Sequence, residues 1–171
     1  MTSHDVITEL NRLGLPRGQY VVVGGAALAV RGIRETDDID VVVTTELFEK
    51  LAESGWVLQL RPNGKPGLHR GSVEAYLDVD GDDFKRSLSW LLSRAEILRG
   101  HAFVDLETLA GFKASYGREK DLQDLNLIAA HVSGGTDFAD TVQKQSDIDE
   151  HQRKECSDGE LRKGWSRSTC E

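Results

Sequence analysis

Two apolar runs set the terms for this chain: Tyr-Val-Val-Val at 20–23 and Ile-Asp-Val-Val-Val at 39–43, with residues 24–38 between them. β-Branched residues at this density lose rotamer freedom in a helix and pack well on a pleated surface. Neither run alternates with polar residues, so each reads as a strand covered on both faces rather than one with a wet side. A helical pattern precedes them, with Val6, Ile7, Leu10 and Leu13 at helical spacing over Asp5–Leu13 before Gly14 and Pro16 end it. The expected fold class is α/β (α+β), a small mixed β-sheet flanked by helices.

The rest of the chain adds elements to that frame. Gly24-Gly25 ends the first strand, and Ala-Ala-Leu-Ala-Val-Arg-Gly reads as a short helix packed on the sheet. Arg34–Asp37 is a turn, and Thr45–Ser54 is a helix with Leu47, Phe48 and Leu51 inward. Trp56–Leu60 is expected to be a third strand and RPNGKPG, 61–67, a loop by its Pro, Gly and Asn content. Val73–Val79 alternates as a strand, Asp83–Arg94 is an amphipathic helix, and Ala102–Val104 is a short strand. Helices follow over Asp105–Ala114 and Leu122–Val132. After Val132 large apolar residues become scarce and no period persists. The expected organisation is a domain over 1–132 and a poorly ordered polar tail over 133–171.

Composition narrows the setting. No apolar run approaches the roughly 20 residues needed to cross a bilayer, so no membrane association is expected. The first residues, MTSHDVITELNRLG, carry no basic region followed by an apolar stretch, and a cytoplasmic chain is expected. Cys156 and Cys170 both fall in the polar segment, which argues against a disulfide framework. A net charge of -8 argues against broad, non-specific nucleic-acid binding while leaving room for a local basic groove.

The chemistry concentrates at the mouth of the second strand, in Arg-Glu-Thr-Asp-Asp-Ile-Asp, 34–40. Residues two apart on a strand share a face, so Asp38 and Asp40 point together while Ile39 points into the core. Paired carboxylates repel, and oxygen-only ligation suits a magnesium ion that also binds substrate phosphates. Alone, the motif is weak and reads more readily as a polar turn before a buried strand. Gly24-Gly25 adds a phosphate-compatible turn between a strand and a helix, although its spacing departs from the dinucleotide-binding G-x-G-x-x-G.

These residues carry a resemblance. VVVGGAALAVRGIRETDDIDVVV resembles the nucleotidyltransferase superfamily that includes DNA polymerase beta, in which a strand, a glycine turn and a short helix lead to a strand with two metal-binding carboxylates. More narrowly, R-x-T-x-D-I-D at Arg34, Thr36, Asp38, Ile39 and Asp40 looks like the AbiEii-type small bacterial nucleotidyltransferases. A second block, LETLAGFKASYGREKDLQDLNLI from Leu106 to Ile128, is similar to L-x-x-L-x-x-x-K-x-x-x-x-R-x-K-D-x-x-D-L of those families. The likeness spans roughly 18–130 and leaves the tail outside.

What the resemblance implies is a nucleotidyltransferase fold and Mg2+-dependent transfer of a nucleoside monophosphate from a nucleoside triphosphate to an acceptor hydroxyl. The acceptor would be RNA or transfer RNA, a protein or a small molecule, in a toxin–antitoxin or phage-defence role with a cognate antitoxin as partner. Antibiotic nucleotidylation and a non-catalytic nucleotide- or partner-binding role are the alternatives. Asp38, Asp40 and a third carboxylate would hold two magnesium ions, one activating the attacking oxygen and one neutralising the leaving pyrophosphate. Gly24, Gly25, Arg34 and Thr36 would bind the nucleotide, and Lys113 would sit near the triphosphate. Arg118, Lys120, Asp121 and Asp124 would close the active-site side of the second helix. Polymerase-like members place serine after the first glycine. Here Gly25 stands there, so phosphate contact is expected from backbone N–H groups. GREKDLQD also reads as a solvated helix start, with Lys120 and Asp124 paired at i,i+4.

The third carboxylate is Glu74 or Asp78, which share a face of the expected 73–79 strand. Glu74 is favoured slightly by the spacing to Gly81–Phe84, which resembles the family's G-x-D-F turn. Asp78 is favoured by aspartate being the commoner ligand, and it would then serve catalysis in Glu74's place. Asp80 lies at the strand end and fits less well. DVDGDD fails as an EF-hand loop, because its sixth and twelfth positions are Asp83 and Ser89. His69 and Arg70 precede the expected 73–79 strand and are placed to approach a substrate, but the expected reading is exposed loop. Trp56 and Trp90 are expected to be core or half-core.

Overall fold

The computed structural model describes residues 1–61, 63–79 and 84–134. The expectations for Asp80, most of the DVDGDD loop, most of the G-x-D-F turn and the polar tail beyond 134 lie outside the described residues. The expected 83–94 helix begins only at Leu88, since residues 84–87 are described and not helical. In chain order the elements are α1 (Ser3–Leu13), β1 (Tyr20–Val23), α2 (Gly24–Ala29), β2 (Ile39–Val43), α3 (Thr45–Glu53) and β3 (Val57–Leu60). They continue with β4 (Pro66–Arg70), β5 (Val73–Tyr76), α4 (Leu88–Arg94), β6 (Glu96–Leu98), β7 (His101–Phe103), α5 (Leu106–Tyr116) and α6 (Glu119–Ser133). The chain divides by its internal contacts after Ile128, and the described part of the second unit is the last turns of α6.

The two valine-rich runs form the heart of one seven-stranded sheet of order β3-β4-β5-β2-β1-β7-β6. β1 runs antiparallel to β2, with Tyr20 opposite Val43 and Val23 opposite Asp40. β2 runs parallel to β5, and β1 parallel to β7, so the sheet is mixed, as expected of the α/β class. Tyr20, Val21, Val22, Val41 and Val42 are all buried, because α2 packs on β1 and β2 and α4 packs on β1. Helix ends follow their local chemistry. Thr2 and Asp5 form a capping box at the start of α1, Asp105 caps α5 by accepting from Thr108 N, and Gly117 ends α5 in the left-handed conformation. Among the described residues no helix is long and apolar enough to cross a membrane.

The sheet is larger than the sequence suggested, because two hairpins extend its edges. Of the expected 61–67 loop, Pro66 and Gly67 belong instead to β4, which pairs with both β3 and β5. Pro66 is tolerated there because Arg61 N donates to Lys65 O at 2.8 Å, which leaves the next pair, Leu60 with Pro66, at a position needing no N–H. Gly67 is equally required, since a Cβ there would lie 2.8 Å from the Tyr76 ring. At the other edge β6 pairs with β7 through Glu96–Phe103 and Leu98–His101. β5 ends at Tyr76 rather than Val79, and α6 begins at Glu119 rather than Leu122.

Candidate active site

Register places three polar side chains in one row across the sheet. His69 on β4 pairs with Glu74 on β5, Glu74 pairs with Asp40 on β2, and Asp40 pairs with Val23 on β1. Directly paired residues on neighbouring strands present side chains to the same face, about 5 Å apart. Asp38 lies two residues before Asp40 and is exposed at the mouth of the strand. The chain then passes over this row at Gly24, whose φ is +62°, where a Cβ would lie 2.2 Å from Asp40 Oδ2. Glycine is the residue that permits both the backbone angle and the approach.

The electrostatics mark Asp40 as uncompensated. Burial, with the charges of Asp38 and Glu74 beside it, pushes its carboxyl up to about 7 despite the opposing influence of Lys120 and Lys113. Among the described residues Asp40 accepts no hydrogen bond. Its neighbours are engaged: Thr36 Oγ1 lies 3.3 Å from Asp38 Oδ1, the Tyr76 hydroxyl donates to Glu74 Oε2, and His69 Nδ1 lies 3.3 Å from Glu74 Oε1. Among the described residues no three acidic, histidine or cysteine side chains are already gathered around one ion position. Asp40 and Glu74 are paired across β2 and β5, and the Asp38 carboxylate is near enough for its charge to act on Asp40. An oxygen-only donor set with an unneutralised half-buried carboxylate fits a hard divalent cation.

Asp78 belongs to a different cluster. It lies beyond the end of β5, so the expected face shared with Glu74 does not form. Its Oδ1 accepts from Arg61 Nη2 at 2.7 Å and its Oδ2 from Lys65 Nζ at 2.6 Å. Burial works against its ionisation, but these two cations hold the carboxyl below the usual aspartate range. The geometry therefore puts Glu74, not Asp78, beside Asp40.

Gly25 has its own constraint. A Cβ at this position would lie 2.4 Å from Thr36 Oγ1, so the buried threonine hydroxyl occupies the space a serine side chain would need. Thr36 Oγ1 in turn donates to Asp38 O at 3.1 Å, tying the turn to the strand mouth.

Lys113, Arg118, Asp121, Asp124 and Arg34 come together as a chain of ion pairs. Arg34 grips Asp124 with two bonds, Nε to Oδ1 at 2.5 Å and Nη2 to Oδ2 at 2.8 Å. Lys113 Nζ lies 2.5 Å from Asp124 Oδ2 and 3.3 Å from Asp121 Oδ1, and Arg118 Nε donates to Asp121 Oδ2 at 2.6 Å. Lys113, Asp121 and Asp124 are buried. Burial opposes ionisation of both aspartates, yet their cation partners hold the carboxyls below the ordinary range. The expected Lys120–Asp124 pair is not formed, because Asp124 faces inward to Arg34 and Lys113. Lys120 is exposed and makes no ion pair among the described residues, while its charge still acts on Asp40.

Two adjoining clefts meet at Gly24, Asp40, Lys113 and Arg118. One, of about 360 Å³, has aromatic and aliphatic walls from Tyr76, Leu109, Phe112 and Tyr116. The other, of about 320 Å³, is polar and lined by Gly25, Arg34, Thr36, Asp38 and Lys120. Every expected site residue other than Glu74 thus borders one of the clefts, and Glu74 joins through Asp40. His69 and Arg70 are on β4 rather than in a loop, and His69 and Tyr76 belong to the site's surroundings, Tyr76 without having been singled out from the sequence. The period-two pattern of Val-Glu-Ala-Tyr already puts Glu74 and Tyr76 on one face. For His69 no signal existed without β4. The chain matches no protein-family model, no curated protein and no solved structure.

Proposed function

We infer that the chain is a magnesium-dependent nucleotidyltransferase, moving a nucleoside monophosphate from a nucleoside triphosphate to an acceptor hydroxyl and releasing pyrophosphate. The observation that carries this reading is the row of Glu74 and Asp40 on paired strands, with Asp38 at its mouth and Gly24 pressed against it. Magnesium bound by these carboxylates would supply charge neutralisation at the phosphates and activation of the attacking oxygen. The chain's own part is positional. Gly24 lets a phosphate group come close to the backbone, and Lys120 offers an exposed cation toward the same place. The aromatic cleft suits a nucleoside and the polar cleft a phosphorylated or hydroxylated partner. An RNA or protein acceptor, and a role in toxin–antitoxin or phage defence, follow from the sequence resemblance.

Incubation with each of four α-labelled nucleoside triphosphates, magnesium, and total RNA or cell lysate tests the reading. Label is expected in RNA or protein with the wild-type chain and is expected to disappear with chelator. Absence of transfer under every nucleotide and acceptor condition would overturn the assignment.

A further inference from the structure

We propose that His69 and Tyr76 are positioning residues for Glu74, fixing the carboxylate that completes the cation site. This rests on the nucleotidyltransferase reading of the same row. Glu74 is 31 % exposed on its side chain, so an unrestrained glutamate there would sample several rotamers. Two polar groups from two strands restrict that freedom. The Tyr76 hydroxyl, on the same face of β5, donates to Oε2, while His69 Nδ1 approaches Oε1 at 3.3 Å from the neighbouring strand. Oε2 thus accepts one hydrogen bond and Oε1 has one polar neighbour, which leaves further lone pairs on both oxygens for a cation.

The surrounding backbone is shaped for this arrangement. Gly67 pairs with Tyr76 across β4 and β5, and a Cβ at 67 would lie 2.8 Å from the Tyr76 ring. The missing side chain lets the ring lie over β4. The Arg61 guanidinium covers the ring at 4.5 Å from its centroid. The Pro-Gly-Leu-His sequence of β4 thus provides space for the tyrosine and a second polar neighbour for the glutamate, five residues after His69. Groups that orient a ligating carboxylate in this way typically contribute 10–100-fold to metal affinity.

The test reads manganese binding to the nucleotide-free chain by electron paramagnetic resonance, alongside label transfer as a function of metal concentration. His69→Ala is expected to weaken Mn2+ binding by about 10–100-fold, with nucleotide KM unchanged at saturating metal. His69→Asn, which can present an N–H in place of Nδ1, is expected to recover most of the affinity. Tyr76→Phe, which keeps the ring on Gly67, is expected to shift metal binding in the same direction as His69→Ala. Unchanged Mn2+ affinity in both His69→Ala and Tyr76→Phe overturns the proposal, as does a His69→Asn chain no better than His69→Ala. If the wild-type chain itself binds no Mn2+ and transfers no label, the reading of the site fails with it. If the wild type does both, only the positioning role is at stake.

Discussion

Replacing Lys113 by methionine is expected to lower the free energy of unfolding by about 3–5 kcal/mol, the usual cost of removing one partner from a buried charge pair. The reason is local. Lys113 lies between Asp121 and Asp124, and the side-chain exposures of the three are 8 %, 0 % and 4 %. Arg34 and Arg118 would still hold one oxygen face of each aspartate, but the inward faces would lose their counter-charge. For a chain of this size the loss corresponds to roughly 10 °C in the unfolding midpoint, measurable by circular dichroism. Adding Asp121→Asn to Lys113→Met is expected to return part of the loss, because the two residues are coupled and their effects are not additive. Acid should weaken the network in the same way. Both aspartates have lowered carboxyl values, so their contribution is present at neutral pH and is lost as pH falls below the ordinary aspartate range near 3.8. An unaltered midpoint in Lys113→Met, with weakened nucleotide binding instead, would make the lysine a phosphate ligand rather than a strut.

Asp40→Asn is expected to do the opposite: to stabilise the metal-free chain while removing activity. Asp40 has its carboxyl raised from 3.8 to about 7, so the folded state holds its proton where the unfolded state has lost it. Stability from this group is fully present below pH 3.8, falls as pH rises, and reaches its minimum above about 7. Asparagine carries no charge and escapes that loss. At pH 8 the variant should therefore unfold above the wild type by an amount on the order of 1–3 kcal/mol, and at pH 4 the difference should vanish. Magnesium should raise the midpoint of the wild type at pH 8 by binding the folded state, with little effect on the variant. Label transfer should fall at least about 10²-fold, since a cation at such a site supplies several kcal/mol of charge stabilisation. A variant less stable than wild type at pH 8, or fully active, contradicts this.

The contrast between these two substitutions shows how much could be read from residues alone. β1 and β2 were plain because unbroken β-branched runs have few alternatives, and period two then placed Asp38 and Asp40 on one face. β4 was hidden because Pro66 and Gly67 are ordinarily loop signals. Pro66 is accommodated at a pair that needs no N–H, and Gly67 by a tyrosine ring from the next strand, neither of which local sequence can reveal. Without β4, His69 had no partner. On a strand reaching Val79, Glu74 and Asp78 share a face and spacing favours Glu74 only slightly; the end of β5 at Tyr76 separates them. The second block was legible as a motif but not in its wiring. Helical spacing pairs Lys120 with Asp124, whereas tertiary contact turns Asp124 toward Arg34, which is far away in sequence.

The central claim is that Asp38, Asp40 and Glu74 together bind the cation that serves a nucleoside triphosphate. The most direct measurement is a crystal structure with manganese and a non-hydrolysable nucleoside triphosphate, with the metal located by its anomalous scattering. The account predicts anomalous density bound by Asp40 and Glu74, with Asp38 alongside and the triphosphate against Gly24. Density at Asp78 with none at Asp40, or nucleotide bound away from Gly24, would contradict it.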